Sequence, residues 1–435
     1  MSFVRRIIPT LAEAGARWFA PAWPRSAEAL LDAVALDPAD RAAVAAPLAA
    51  LHRACADEAA LSAIGRAGWR WDALRSLENL RRMRAEEAKA PDIAATPIER
   101  PLIITGMPRS GTSFFFGLLA EDPAALVPRV WQTIHPYPDA GTRPGASDRR
   151  QRRVARQLAA FNRLAPGLAS VHPLDADSPQ ECTEITAQVF QSLRFETMYQ
   201  VPAYKRWLAE HGHLAAYRFH RRFLQHLQHQ RAGARAAPGH WLLKSPDHVF
   251  ALPTLRAVYP DARLVFVHRD PLKVLPSVAQ LTEILRAPFT RRVDRAGIGQ
   301  QVVQDWVNAA AIMVAEHARP TFPAGQVLHL RHRDVVSRPL ATVQQVAAHF
   351  GLDLSAAVQA AMARHIAARP RGGYGENHYS FATHGLDPEA IRAQFAEYVE
   401  TFGVADEVET PPRPSAVRAA GRRPVGLTQG EQHAG

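Results

Sequence analysis

A glycine-bearing loop at Gly106–Gly111 is the first feature of the sequence that predicts chemistry. It has the spacing G-x4-G, follows the apolar run PLIIT and precedes helix-forming residues that start at Thr112. In such a loop, successive backbone N–H groups and the positive N-terminal end of the next helix bind an anion. Arg109 adds a cation to the loop, and Thr112 and Ser113 add hydroxyl donors. We therefore predict a phosphate-binding loop, although an ordinary tight strand-to-helix turn has the same spacing.

A second pair of residues predicts another phosphate site. Arg269 follows a predicted strand, and Ser277 lies about two helical turns further on. An arginine at the carboxyl end of a parallel strand faces the ligand-binding edge of the sheet, and its guanidinium suits a phosphate dianion. Alternatively, Arg269 pairs with Asp270 or caps the helix. Together with the loop, the pair indicates one nucleotide with phosphates at two separate positions, as in a 3′,5′-bisphosphate.

The elements that must position these residues alternate between strand and helix. Apolar strands are predicted at 101–105, 241–244, 263–268 and 326–330, and helices at 112–120, 249–258, 271–286, 298–317, 339–350 and 388–402. This alternation predicts an α/β fold: a P-loop-like, doubly wound parallel sheet flanked by helices. The predicted units are a helical N-terminal region at 1–97, the α/β domain at 98–404 with a mainly helical insertion at 131–240, and a disordered tail at 405–435.

Composition limits the class of protein. The chain has 435 residues and a net charge of +11, which suits an anionic ligand. We expect no nucleic-acid partner, because no recognition motif occurs. No apolar run is long enough for a transmembrane helix, and residues 1–24 lack the pattern of a signal peptide. Cys55 and Cys182 form no CxxC, which predicts neither a disulfide framework nor a zinc site. We expect a cytoplasmic protein.

Three segments, in this order, resemble the bacterial branch of the sulfotransferases that use 3′-phosphoadenosine-5′-phosphosulfate (PAPS). They are PLIITGMPRSGTSFFFGLL from Pro101, WLLKSPDHVFALPTLRAVYPDARLVFVHRDPLKVLPSVAQL from Trp241, and RPRGGYGENHYSFATHGLD from Arg369. The resemblance covers 98–402 and is weaker across 131–240. It implies transfer of a sulfuryl group from PAPS to a hydroxyl or amine, with the insertion shaping the acceptor pocket. No metal is implied.

The resemblance also assigns roles to individual residues. The 5′-phosphosulfate would contact Arg109, Ser110, Gly111, Thr112 and Ser113. The 3′-phosphate would contact Arg269 and Ser277, with Arg371, Gly372 and Gly373 in a loop that closes over the nucleotide. Lys244, which ends its strand, matches a family lysine near the bridging oxygen. Arg109 and Lys244 are therefore the candidate catalytic cations, since positive charge on the leaving group stabilises the transition state.

The sequence leaves several candidates for the general base, because relatives often carry Trp-Glu where this chain has Trp131-Gln132. An amide cannot accept the proton at neutral pH. His172 and Glu181 lie in a segment that resembles the acceptor-side motif of the family, and we rank them together. Each also fits a structural role, and for Glu181 this is stabilisation of a helix N-terminus. Further candidates for the base are Glu184, His248 and, more weakly, His135.

Two other functions fit parts of the pattern. A P-loop kinase or NTPase is the alternative, but it would carry lysine where this chain has Thr112. A nucleotide-binding scaffold without catalysis is the other. Aromatic residues at Phe114–Phe116, Phe190 and Trp207 indicate apolar walls, yet such residues are more often core. The sequence does not separate small-molecule, lipid and carbohydrate acceptors, nor does it predict an oligomeric state.

Overall fold

A parallel sheet forms the centre of the molecule. The computed structural model describes residues 23–138, 149–232, 239–369 and 379–405. Within these ranges the sheet has five strands in the order β2-β3-β1-β4-β5, and every neighbouring pair is parallel. The strands are β1 Leu102–Gly106, β2 Ala125–Leu126, β3 His240–Lys244, β4 Arg263–His268 and β5 Val327–Arg331.

Helices account for most of the remaining described residues. Those before the insertion are α1 Ala27–Leu31, α2 Pro38–Asp57, α3 Ala63–Lys89 and α4 Thr112–Leu119. Those of the insertion are α5 Val130–Ile134, α6 Arg150–Leu164, α7 Leu168–Val171, α8 Thr183–Thr186, α9 Arg194–Met198, α10 Pro202–His211 and α11 Leu214–Ala232. Those after it are α12 Leu252–Val258, α13 Pro271–Arg286, α14 Arg295–Ala318, α15 His332–Ser337, α16 Pro339–Phe350, α17 Ala356–Ala368, α18 Pro388–Gln394 and α19 Ala396–Phe402.

Both faces of the sheet are covered, which confirms the predicted doubly wound α/β class. Successive side chains of a strand point to opposite faces. Accordingly, Ile103 packs in one hydrophobic cluster, whereas its neighbours Leu102 and Ile104 pack in another. All residues of β1 and β4 are buried, as expected when helices flank a parallel sheet. The site residues at the strand ends are therefore fixed by a sheet that is packed on both sides.

The N-terminal helices share the core of the α/β unit. Leu48 of α2 and Leu77 of α3 are buried in the same cluster as Ile103 and Leu243. Residues 23–97 are helical as predicted, and so is the described part of 131–240. The domain boundaries themselves stay predictions, and 406–435 lie outside the described residues. In the ranges that are described, no helix combines the length and apolar character needed to cross a bilayer.

Candidate active site

The glycine loop is held in an unusual backbone shape. Gly106 has a φ of 117°, and a Cβ at this position would lie 2.4 Å from the Val267 carbonyl oxygen of β4. Arg109 and Gly111 also have positive φ values, of 59° and 81°. Such a φ is uncommon for a residue with a side chain, and such residues cluster at ligand sites. Gly111 caps α4, so the loop leads directly into the positive end of that helix.

The loop hydroxyls divide into two groups. The Ser110 hydroxyl is fully buried and donates to the Met107 carbonyl oxygen at 2.5 Å, so it closes the loop from inside. Thr112 and Ser113, by contrast, line a cleft of about 2190 Å³, as do Arg109 and Gly111. Of the five predicted loop residues, four therefore face the cleft, and Ser110 does not line it.

Lys244 connects the loop to the helical insertion. Its backbone is in register with Ile104 of β1, which places its side chain beside the start of the loop. The ammonium donates to Ser113 Oγ at 3.0 Å and forms an ion pair with Glu181. The Lys244 side chain is 5% exposed and that of Glu181 is 22% exposed, so the pair is largely protected from water but open to the cleft. One cation thus contacts both the glycine loop and a carboxylate.

The two predicted phosphate sites lie next to each other. Arg269 donates through Nη1 to the Arg109 carbonyl oxygen at 2.5 Å, and Arg109 Nε lies 3.0 Å from Ser277 Oγ. Arg109 also donates to the Val171 carbonyl oxygen at 2.7 Å. The Asp270 carboxylate caps α13 by accepting the Leu272 N–H at 2.9 Å. Arg269, Arg109 and Ser277 all line the cleft, so one ligand can contact residues from both sites.

His172 and Glu181 meet at the same cleft wall. The segment that carries Glu181 is anchored to β3, because the Cys182 N–H donates to the Lys244 carbonyl oxygen at 2.9 Å. Burial would raise the pKa of Glu181, but the positive charge of Lys244 and its hydrogen bond to the carboxylate outweigh burial and hold the pKa below its usual value. Burial lowers the pKa of His172 to about 4, with Lys244 and Arg109 adding to the effect. At neutral pH, the first is ionised and the second is neutral, so each is able to accept a proton.

Comparison with known proteins assigns the family. The model of the sulfotransferase family matches residues 101–356, which is more than half of the chain. The chain belongs to the sulfotransferase family. The crystal structure of sulfotransferase STF1 from Mycobacterium tuberculosis H37Rv superposes with a TM-score of 0.72 at 27% identity, over 87% of this chain and 99% of that one. STF9 from Mycobacterium avium gives a TM-score of 0.72 at 27% identity, over 83% of this chain and 92% of its own.

A curated relative matches a shorter stretch. The omega-hydroxy-beta-dihydromenaquinone-9 sulfotransferase Stf3, from Mycobacterium bovis and from Mycobacterium tuberculosis, is 27% identical over 112 residues. This is 26% of our chain, and it spans only 28% of the length of the relative. The predicted membership of a bacterial sulfotransferase family is thus confirmed. The menaquinone acceptor in the name of Stf3 is that of the relative.

Several other residues that the sequence analysis named for this sulfotransferase do not line the cleft, or lie outside the described residues. The Gln132 side chain accepts the Arg129 N–H at 2.9 Å and caps α5, so it serves as a helix cap. His248 is buried, with Nδ1 2.6 Å from the Tyr217 hydroxyl. Neither residue lines the cleft, nor does His135. Glu184 does line it and pairs with Arg194 at 3.3 Å. Arg371, Gly372 and Gly373 lie outside the described residues.

The predicted apolar walls differ from those of the structure. Phe114 lines the cleft, whereas Phe115, Phe116, Phe190 and Trp207 do not. Phe115 and Phe190 are instead fully buried in the two hydrophobic clusters. The observed apolar wall comes from the insertion and from α13, through Leu158, Phe161, Leu168, Leu174, Leu281 and Leu285. Of the five predicted aromatic residues, only Phe114 lines the cleft, and the others follow the core alternative, because burial depends on which elements pack together.

Two titratable residues of the cleft, Asp247 and His332, were not predicted from the sequence. Burial raises the pKa of Asp247 to about 7, and the charge of Glu181 adds to this shift. His332 begins α15 just after β5, and a Cβ on Gly111 would lie 3.0 Å from its Nδ1. Burial lowers the pKa of His332 to about 3, and Arg269 adds to the effect. A signal existed for both, since each follows the end of a strand at the edge where Lys244 and Arg269 lie.

The donor set fits a nucleotide that carries several negative charges. Three cations, from Arg109, Lys244 and Arg269, line the cleft beside hydroxyls from Thr112, Ser113 and Ser277. Guanidinium, ammonium and hydroxyl donors are the usual partners of phosphate and sulfate oxygens. Across the described residues, no group of three or more His, Cys, Asp or Glu side chains is arranged to hold a metal ion.

Proposed function

We propose that this chain transfers the sulfuryl group of PAPS to a hydroxyl group of an acceptor bound in the same cleft. The position of Lys244 carries the proposal. Its ammonium contacts Ser113 of the anion-binding loop and the Glu181 carboxylate at once. A cation for the leaving group and a base for the incoming hydroxyl are therefore held close together, as group transfer between two bound substrates requires.

The nucleotide contacts follow from the loop and from α13. Backbone N–H groups of the loop and the hydroxyls of Thr112 and Ser113 hold the 5′-phosphosulfate. Arg269 and Ser277 hold the 3′-phosphate, and Arg109, which reaches Ser277 at 3.0 Å, contributes to both ends. Arg109 and Lys244 neutralise the charge that develops on the bridging oxygen as the bond to sulfur breaks.

Glu181 is the proposed general base. Its low pKa keeps it ionised at neutral pH, and its pairing with Lys244 places it beside the reacting group. The carboxylate takes the acceptor proton as the new bond between oxygen and sulfur forms. His172 is the second candidate, because its pKa of about 4 leaves it neutral at neutral pH and because it lines the same wall.

The acceptor is proposed to be a largely apolar molecule with a hydroxyl group. Leucine and phenylalanine side chains from α6, α7 and α13 line the cleft next to Arg109 and His172. An apolar molecule that packs against this wall removes hydrophobic surface from water, and this stabilises the complex by about 25 cal/mol per Å² of apolar surface buried. The acceptor named for the relative Stf3, an omega-hydroxylated menaquinone, agrees with this chemistry.

Nucleotide binding and turnover test the proposal together. Adenosine 3′,5′-bisphosphate should raise the melting temperature without magnesium, and Arg269→Ala should remove most of that shift while leaving the fold intact. Lys244→Ala should keep the shift but lower kcat about a hundredfold or more, measured with radiolabelled PAPS and hydroxylated acceptors. Stabilisation only by ATP with magnesium would instead support the kinase alternative and contradict the proposal.

A further inference from the structure

Helix α6 carries two chemically opposite faces. The segment 149–171 contains six arginines and no acidic residue. At 100° per residue, Arg149, Arg152, Arg153, Arg156 and Arg163 fall within an arc of about 100°. All five are exposed in the structure. This arginine face, defined by those five residues, points to solvent.

The opposite face of α6 packs on the protein. Val154 is fully buried, and Leu158 and Phe161 line the apolar wall of the cleft. The ring of Phe161 stacks on that of Phe289 at 5.8 Å between centroids, which fixes the helix against the body of the protein. Leu164, beside the arginine face, remains 43% exposed. The helix therefore separates a cationic outer surface from the apolar interior of the cleft.

We propose that the arginine face of α6 docks the protein on an anionic phospholipid membrane. Basic residues near such a surface each add favourable binding energy, and an exposed leucine beside them can enter the boundary between headgroups and acyl chains. An apolar acceptor is concentrated in a bilayer, and the helix that would touch that bilayer also forms a wall of the acceptor cleft. The inference rests on the proposed function for its purpose, but not for its test.

The partner is identified by charge and by position. Duplex DNA and acidic proteins are also polyanions, but neither supplies an apolar molecule to a leucine-lined wall. A bilayer offers both anionic headgroups for the arginine face and an apolar phase for the acceptor. Docking through α6 would leave only the thickness of this helix, about 10–12 Å, between the membrane surface and the apolar wall of the cleft.

Vesicle cosedimentation tests the proposal without nucleotide or turnover. The full chain should bind vesicles of phosphatidylcholine mixed with phosphatidylglycerol, and bind pure phosphatidylcholine vesicles far more weakly. Salt should reduce the binding. The combined variant Arg149→Gln, Arg156→Gln and Arg163→Gln should lose about tenfold or more in affinity for the mixed vesicles. These substitutions leave the buried face of α6 unchanged.

A matched control separates the arginine face from net charge. The combined variant Arg319→Gln, Arg364→Gln and Arg392→Gln removes the same charge from exposed positions on other elements. It should bind mixed vesicles as the unmodified chain does. Equal losses in both variants, no loss in the first, or equal binding to neutral vesicles would overturn the proposal. The proposal would also be overturned if the chain bound duplex DNA through the arginine face but did not bind vesicles.

The outcome is also distinct from that of the proposed function. If the chain binds adenosine 3′,5′-bisphosphate and transfers the sulfuryl group but does not bind vesicles, only the proposal of a docking surface is refuted. A chain that binds vesicles through α6 yet shows no sulfuryl transfer refutes only the proposed reaction.

Discussion

Lys244 is one of four lysines in the chain. Its ammonium contacts two side chains, a hydroxyl and a carboxylate, that belong to different parts of the cleft. Ser113 belongs to the loop proposed to bind the 5′-phosphosulfate, and Glu181 is the proposed general base for the acceptor. When an anionic ligand enters the loop, its oxygens and the carboxylate compete for the same cation. Ligand binding would thus loosen the hold of Lys244 on Glu181 and raise the basicity of the carboxylate, because the opposite charge that lowers its pKa is shared.

Substitution of the two candidate bases distinguishes them. Glu181→Gln should abolish turnover, because the amide keeps the shape of the side chain but cannot accept the proton. His172→Gln should retain at least about a tenth of kcat if Glu181 is the base. Nucleotide affinity, measured by calorimetry with adenosine 3′,5′-bisphosphate, should persist in both. A dead His172→Gln variant beside an active Glu181→Gln variant would reverse the assignment.

Asp247 predicts a pH dependence near neutrality. Its pKa of about 7 means that it is largely neutral at pH 6 and ionised at pH 8. The ionised form adds a negative charge close to Glu181 and Lys244, where the proposed function places the anionic nucleotide. The KM for PAPS should therefore rise as the pH increases through 7, and Asp247→Asn should flatten that rise. An unchanged inflection in the variant would show that another group titrates there.

Gly106 ends β1 at the point where the strand turns into the loop. A side chain here would meet the Val267 carbonyl at 2.4 Å and would also sit at a φ of 117°. Gly106→Ala should lower the free energy of unfolding by about 2–4 kcal/mol and weaken nucleotide binding, since the loop must shift. Chemical denaturation and calorimetry measure the two effects.

Gly351→Ala is the matched control for this prediction. Gly351 also has a positive φ, of 64°, but no atom lies within 4 Å of an added Cβ. The variant should cost only about 1 kcal/mol and leave nucleotide binding unchanged. Equal effects in the two variants would indicate that backbone strain alone, and not contact with β4, explains the need for glycine at position 106.

The local sequence was sufficient to predict the bounds of elements that have a strong local pattern. The bounds of β4, α13 and α16 agree with prediction, because each combines an apolar pattern with a clear start such as Pro271 or Pro339. Strand β2 has two residues, too few for a pattern. Helix α17 was missed although Val358, Met362 and His365 are buried at helical spacing. The predicted helix at 388–402 is two helices that meet at Phe395, where neither glycine nor proline marks the break.

The same distinction applies to the site. The loop, Lys244 and Arg269 lie at strand and helix ends that the sequence pattern reveals, and Ser277 lies within α13. The structure brings all of them to one cleft. Their assigned roles stay predictions. The raised pKa of Asp247 arises from burial and from Glu181, which lies on a distant segment anchored to Lys244. Such effects depend on tertiary packing and therefore carry no local signature.

At the scale of the whole molecule, a charged network fastens the N-terminal helices to the insertion. Arg222 of α11 pairs with Asp40 of α2 at 2.7 Å and with Glu87 of α3 at 2.6 Å. Glu87 also contacts Arg84 and His226, at 3.2 Å and 2.9 Å. Because these helices also share the core of the sheet, we expect the described parts of residues 23–405 to unfold as one cooperative unit.

Glu87 provides the test of this coupling. Burial would raise its pKa, but hydrogen bonds from His226 and Arg222 lower it to about 2. A carboxyl whose pKa is lower in the folded state stabilises the fold above its unfolded pKa and loses that contribution as the pH falls towards 2. After allowance for solvent screening, Glu87→Gln should cost about 1–2 kcal/mol at pH 7. The cost should shrink below about pH 4.

Thermal unfolding of Glu87→Gln and Glu86→Gln, followed by circular dichroism, measures this difference. Glu86 is the neighbour on α3 and pairs with the exposed Lys89, so its substitution should change stability by less than about 0.5 kcal/mol. A single transition that moves to lower temperature only in the first variant would show that the network between the N-terminal helices and the insertion stabilises the whole cooperative unit. Two separate transitions in the unmodified chain would instead mean that the N-terminal helices fold independently, and that the cleft keeps its shape without them.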